Sequence, residues 1–464
     1  MAAAERRIGP RAATVLLLVE GYCSLAIEMT ALRVLVPVAG QSVGVTSIVV
    51  TAFLAALALG YGAGGRYEGD AREKVARNLA GAAAWSAFWL SGFGVALMFA
   101  ATAPLAVPVQ VGAYAAVGVG PAAYLLAQTV VLLVGGGPGD TAARRAGGAF
   151  SASTLGNVAG GLLTALAVMQ HLGVAASVAL VAGLLLLAAL AARDRFGWRL
   201  WAAGVAVAAV AGANLAAERD AYVLSTAHAD YAVEADADGA RLLRVNGQNA
   251  SREDGGGIGH PYIEWIEDEV YGRLPRGRRV RVLVIGAGGF SFGRGRPARA
   301  AEIVYVDVDP RLGEAADAFL GPGARGGAYV AMDGRAYLLR RGERFDAIVL
   351  DAFADRAAVP AHLQTREFFA LARSRLARDG GRLYMNRIEP PRPDRLAVRV
   401  DRTLRSVFAW CEARAFGAAS AWRNRVYACA RGPLDGDAIV YADGGARGEA
   451  DGSAMPRRRA GRGP

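Results

Sequence analysis

The first 218 residues carry about seven apolar stretches, near 13–37, 43–65, 79–101, 111–134, 149–169, 173–192 and 199–217. Each is long enough to cross a bilayer as a helix, which takes roughly 20 residues. No other feature constrains the fold as tightly. Hydrophobic residues make up 54% of the 464 positions, and the excess sits in this first half. Gly and Ala are dense in the stretches, as expected where helices pack closely, and Gly60, Gly64 and Gly65 end the second on a small face. The fifth stretch, with Ser151, Ser153, Thr154 and Asn157, is the most polar.

The connecting loops differ in charge. Arg66, Arg72, Lys74 and Arg77 follow the second stretch, Arg144 and Arg145 the fourth, and Arg193, Arg195 and Arg199 the sixth. The alternate loops, near 38–42, 102–110 and 170–172, carry no Arg or Lys. Taken literally, the positive-inside rule places the N-terminus and the basic loops in the cytoplasm, and an odd number of crossings then puts the C-terminal half outside. The expected nucleoside chemistry of that half argues for the cytoplasm instead, which requires a miscount at 149–169 or 199–217. Glu20 and Glu28 lie within the first stretch, with Arg33 five residues beyond Glu28. Ionisable groups at membrane depth face a partner or a cavity, so Glu28 is expected in an ion pair or at a polar-substrate or proton-linked site.

The net charge of +11 is almost all arginine, and Lys74 is the sole lysine. No basic-aromatic stripe accompanies it, which argues against nucleic acid as a partner. Cys23, Cys411 and Cys429 make no metal-ligand pattern, and no metal is expected.

Composition changes at Glu218-Arg219-Asp220. Short strand-like runs at Ala221–Ser225, Tyr231–Glu234 and Ala240–Val245 form a small β lead-in, followed by a polar loop, Gly247–Gly259, and a helical pattern, Tyr262–Leu274. Val280–Ile285 is then apolar and β-branched, as suits a strand buried on both faces. Gly286-Ala287-Gly288-Gly289 allows a tight turn and close approach of a ligand, and a second apolar strand ends in Asp307, where a carboxylate can hold ribose hydroxyls. Strand–helix alternation continues through Tyr329–Ala331, Phe345–Leu350 and Gly380–Met385, with two late strands near 407–414 and 424–430. The pattern implies a parallel sheet covered by helices, with ligands across the carboxyl ends of its strands. Asp307, Asp333 and Asp351 each follow such a strand and are expected to share one crevice. Singly, each reads equally well as a helix N-cap.

These residues resemble the polyamine aminopropyltransferases, specifically the bacterial membrane-fused spermidine synthase-like proteins. The resemblance runs through Ala26-Ile27-Glu28-Met29, Leu32-Arg33, Gly60 to Gly65, Ile285 to Gly289, Val306 to Pro310 and Met332 to Arg335. Its longest segment is Asp351-Ala352-Phe353 with Val359 to Phe368, which is similar to the family's catalytic loop and gate. Residues 446–464, rich in Gly, Arg and Pro, read as a disordered basic tail. The resemblance implies an α-helical transmembrane bundle (1–218) and an α/β Rossmann-like domain of the class I methyltransferase type (219–445). It also implies aminopropyl transfer from decarboxylated S-adenosylmethionine to a polyamine or related amine, with the donor as co-substrate and no permanently bound cofactor. By position, Gly286, Gly288, Asp307, Asp333 and Gly334 would hold the nucleoside, Asp351 would deprotonate the amine, and Asp355, His260 and Tyr262 would contact it. The implied partners are the amine, the lipid bilayer and a second copy in a homodimer. The implied location is the bacterial inner membrane, multi-pass, with the catalytic domain cytoplasmic.

One departure from the resemblance matters. Soluble members carry an aspartate inside the glycine loop for the donor's propylamine group, and Gly289 and Phe290 occupy that region here. That absence favours one alternative, an S-adenosylmethionine-dependent methyltransferase on the same fold, and the polar residues Glu28 and Asn157 permit another, a transporter-like bundle with a non-catalytic nucleoside- or polyamine-sensing domain. Cys411 and Cys429, on adjacent late strands, are expected as two buried thiols in a cytoplasmic domain, and as a disulfide in an exported one.

Overall fold

The computed structural model describes residues 8–134, 141–193, 197–254, 260–273, 279–294, 301–353, 359–391 and 395–431. The chain divides into two compact units, Met1–Glu234 with Leu243–Asn249, and Ala235–Leu242 with Ala250–Pro464.

The first unit is helical. Pro10–Ala39, Val43–Gly65, Val107–Leu133, Ala142–Leu172, Val174–Ala191 and Leu200–Ala221 are each long and apolar enough to cross a membrane. A further pair, Ala71–Trp89 and Gly92–Ala101, is bent by 70° at its break. So the third stretch is the one that length leaves open, rather than the fifth or seventh. Helix register shows which way this pair runs. Gly112 lies beside Ile48, and Gly60 and Gly64 lie beside Tyr124 and Gln128, so Val43–Gly65 and Val107–Leu133 run parallel. Against the latter helix, Gly81 meets Leu125, Trp85 Nε1 donates to the Val117 carbonyl (2.9 Å), Tyr114 Oη donates to the Trp89 carbonyl (2.9 Å) and Gln110 Nε2 donates to the Thr102 carbonyl (2.8 Å). The bent pair therefore stays antiparallel along its length, and the bend does not turn the chain back.

The first helix packs parallel to Ala142–Leu172 through glycine. A Cβ at Gly156 or Gly160 would fall on the carbonyl oxygens of Leu18 and Tyr22, and one at Gly21 on that of Ser153. Only glycine allows backbones to approach this closely. Beside it, Ser153 Oγ donates to the buried Glu20 carboxylate at 2.8 Å. Arg33 does not pair with Glu28. Its guanidinium forks onto Asp230 (2.7 and 3.2 Å), and its Nε donates to the Thr226 carbonyl at 2.8 Å.

Four strands follow the last helix, β1 (Leu224–Ser225), β2 (Asp230–Ala235), β3 (Arg241–Val245) and β4 (Gln248–Glu253), in that spatial order. β4 forms where the sequence predicts a polar loop, Gly247–Gly259. Asn246 and Gly247, both at positive φ, form the two-residue turn that pairs β3 with it.

The second unit holds β5 (Val280–Ile285), β6 (Ala301–Asp307), β7 (Ala328–Ala331), β8 (Ala347–Leu350), β9 (Arg382–Glu389), β10 (Trp410–Phe416) and β11 (Arg423–Ala430), in the order β10-β11-β9-β8-β5-β6-β7. β5 to β9 are parallel, and β11 inserts antiparallel between β9 and β10. This is a Rossmann-like sheet of the methyltransferase type. Leu283, Ile285, Val306, Phe368, Phe369 and Met385 build its core. The strand order reverses between β5 and β8, which opens a crevice at their carboxyl ends. Cys411 and Cys429 face each other across β10 and β11 and are joined by a disulfide, not held as two thiols.

Candidate active site

Gly286 ends β5 at φ +91°, and its amide donates to the Val306 carbonyl. A Cβ there would collide with the Asp351 carbonyl oxygen, so only glycine lets β5 and β8 close at this point. Gly288, also at positive φ, completes the turn. Asp307, at the end of β6, accepts from the Ala287 amide (3.1 Å) and the Asp309 amide (3.3 Å), which fixes the carboxylate against the glycine turn. Burial pushes its pKa above the usual range, against the pull of those amides.

Asp333 follows β7 and caps helix Gly334–Arg340, accepting from the Ala336 amide at 2.9 Å. Its other oxygen lies 2.7 Å from His362 Nε2, on the short 3₁₀ turn Ala361–Leu363. Burial raises the Asp333 carboxyl, but the Ala336 amide and the His362 ring outweigh it, and the net shift is downward. Gly334 packs where a Cβ would strike Ile285.

Asp351 leaves β8 at the point of strand reversal. Tyr262 Oη donates to its Oδ2 at 2.9 Å, and Asn386 Nδ2 donates to its Oδ1 at 2.8 Å. Tyr262 comes from helix Pro261–Arg273 and Asn386 from β9, so three elements fix one carboxylate. Asn386 also reaches Asn424 Oδ1 at 3.2 Å, and its own Oδ1 is buried with no hydrogen-bond partner among the described residues. Burial holds the Asp351 pKa up, only partly countered by the Asn386 and Tyr262 hydrogen bonds. Asn386 is the residue that sequence reading missed. It lies inside a strand, and only the pairing of β8 with β9 brings it to Asp351.

His260 precedes the same helix, with its ring 5.7 Å from that of Tyr262. Burial, and then the charge of Arg252, lower its pKa. Asp355 lies outside the described residues. In the glycine loop, Phe290 is fully buried and packs edge-on against Tyr305 and Tyr329. The Gly289 amide donates to Ser251 Oγ at 2.9 Å, and a Cβ on Gly289 would lie 2.6 Å from that oxygen. Position 289 thus has no room for a carboxylate unless Ser251 moves.

No family model matches the chain, and no curated protein matches it. Similar solved structures are spermidine synthases and S-adenosylmethionine-dependent methyltransferases. A probable spermidine synthase from Corynebacterium glutamicum is 19% identical over 45% of this chain and 78% of its own, with a TM-score of 0.38. The spermidine synthase of Thermotoga maritima is 20% identical over 44% and 70%, with a TM-score of 0.36. Human methyltransferase-like protein 13, in complex with SAH, is 21% identical over 37% and 79%, with a TM-score of 0.30.

Proposed function

We propose that the chain is a membrane-anchored transferase that moves an aminopropyl group from decarboxylated S-adenosylmethionine to a polyamine or related amine. The observation that carries this reading is the Asp351 carboxylate, held between Tyr262 and Asn386 at the strand reversal beside Gly286. The glycine turn and Asp307 hold the ribose, and Asp333 takes the adenine amino group. The acceptor ammonium gives a proton to Asp351, aided by the orphan acceptor of Asn386. The freed amine lone pair attacks the methylene carbon next to the sulfonium. A carbon–nitrogen bond forms, the carbon–sulfur bond breaks, and its electron pair leaves on sulfur as neutral methylthioadenosine. The sulfonium is already an activated leaving group, so alignment of donor and acceptor is most of what the protein supplies.

The filled glycine loop favours a second reading, methyl transfer from S-adenosylmethionine itself, because no carboxylate fits at Gly289 to meet a cationic propylamine. Calorimetry on the full chain in detergent separates the two. Tighter binding of decarboxylated S-adenosylmethionine and methylthioadenosine supports aminopropyl transfer. Tighter binding of S-adenosylmethionine and S-adenosylhomocysteine replaces it with methyl transfer. Binding of none of the four removes both.

The bundle's length and apolarity support crossing of a bacterial inner membrane in several passes, and resistance of the protein to carbonate extraction tests it. Lipid and a small-molecule amine are the partners this reading needs.

A further inference from the structure

We infer that the Asp351 site works on the extracytoplasmic side of the membrane, so that its amine is taken from outside the cell. The inference rests on the membrane-crossing part of the proposed function and is independent of which group the site transfers.

The first line of argument is the number of crossings. The register of Ala71–Ala101 against Val107–Leu133 stays antiparallel from Gly81 to Thr102, so the bent pair is one broken crossing and not a re-entrant loop. With the other six helices this makes seven. The contacts then sort the loops by bundle end. At the first end, Arg72 Nε donates to the Ala192 carbonyl (2.7 Å) and Arg193 pairs with Glu73 (3.5 Å), which joins the loops after the second and sixth crossings. At the other end, Thr30 meets Ser177 (3.1 Å) and Glu218 accepts from the Ala175 amide (2.8 Å). The Arg33 fork onto Asp230 ties that same end to the segment leaving the bundle.

The second line is charge. Arg66, Arg72, Lys74, Arg77, Arg144, Arg145 and Arg193 all belong to the first end. The connections at the other end, 40–42, 102–106 and residue 173, hold no Arg or Lys, and Arg33 there is buried in its ion pair. Such asymmetry orients the first end to the cytoplasm. The chain therefore leaves the bundle outside, and no later described helix is long and apolar enough to return it.

The third line comes from the second unit alone. Cys411 and Cys429 are bridged, and such bonds persist in oxidising compartments and are rare in the cytosol. Both substrates must then be present on the outer face.

The test is labelling of the full chain in intact cells with a small membrane-impermeant maleimide. Three variants report on exposed positions: Glu68→Cys at the basic end, Leu105→Cys at the uncharged end and Leu396→Cys in the second unit. The unaltered chain is the blank, because Cys23 is buried and the other two cysteines are joined. The expected result is label on Leu105→Cys and Leu396→Cys in intact cells, label on Glu68→Cys only after the cells are opened, and no label on the blank. Carbonate-resistant protein with Glu68→Cys labelled in intact cells, or with Leu396→Cys protected, overturns the inference while the membrane reading stands. Protein that carbonate releases, with all three positions protected until lysis, overturns the membrane reading and the inference with it.

Discussion

Tyr262 Oη and Asp351 Oδ2 lie 2.9 Å apart, and the phenol donates to a carboxylate whose other oxygen is already taken by Asn386. Both oxygens are thus oriented by the fold before any substrate arrives. Loss of the carboxylate in Asp351→Asn is expected to lower kcat by about 10²–10⁴-fold, the usual range for a general base, while nucleoside binding measured by calorimetry is retained. Tyr262→Phe keeps the base and removes only its orientation, so a smaller loss is expected. Loss of nucleoside binding in Asp351→Asn would show that the residue holds the donor instead.

The pH dependence has a definite sign. Burial raises the Asp351 pKa. Under the proposed function this carboxylate accepts the proton and does so only above that raised value, so kcat/KM rises with pH through it and then levels, and the Asn variant loses this limb. Stability moves the opposite way. The folded chain binds the Asp351 proton more tightly than the unfolded chain, so this contribution is complete below the unfolded pKa and is lost as pH rises through the folded one. Asp351→Asn is expected to melt at a higher temperature than the unaltered protein at neutral pH. A lower melting temperature would contradict this assignment.

Asp307 is held by the Ala287 and Asp309 amides at the end of β6, and the proposed function has its carboxylate meet a ribose. A hydrogen bond to a charged group contributes about 1.5–3 kcal/mol, so Asp307→Ala should weaken nucleoside binding roughly 10- to 100-fold. An unchanged Kd would leave Asp307 as a purely structural brace for the glycine turn.

In the helical unit, Gly160 lies against the Tyr22 carbonyl with no space for a side chain. Gly160→Val forces the two backbones apart, and overpacking of this kind costs about 1–3 kcal/mol. Thermal unfolding in detergent should show the loss, whereas Gly183→Ala, with open space at its Cβ, should show little.

Arg33 and Asp230 form a buried fork. Removing one partner strands the other, so Arg33→Ala should destabilise the first unit by about 3–5 kcal/mol. Replacing the pair with Arg33→Met and Asp230→Leu should recover much of that. A double variant as unstable as the single one would show that the fork's geometry, rather than its buried charge, holds this end of the bundle.

Much of the fold was legible in the chain because it rests on local pattern. Apolar runs of bilayer length placed the helices, and β-branched runs placed β5 to the residue and β6 and β8 to within two. The glycine turn and the acids after β6, β7 and β8 were legible for the same reason, since a residue closing a strand is set by its neighbours in sequence. β4 was missed because its residues, Gln248 to Glu253, are polar, although the Asn246-Gly247 turn announced it.

The sequence by itself determined that an apolar helical half precedes an alternating α/β half, and that three carboxylates end its strands. The tertiary structure alone decided which groups those carboxylates meet. Asn386 reaches Asp351 through strand pairing, 35 residues away in sequence, and Ser251 closes the loop at Gly289 from 38 residues away. It also decided that Arg33 answers Asp230 and not Glu28, and that the bent pair runs through the bundle instead of back. Periodicity records which side of an element is apolar. It carries no information about which distant element will be packed against that side, because such contacts arise only when the whole chain has closed on itself.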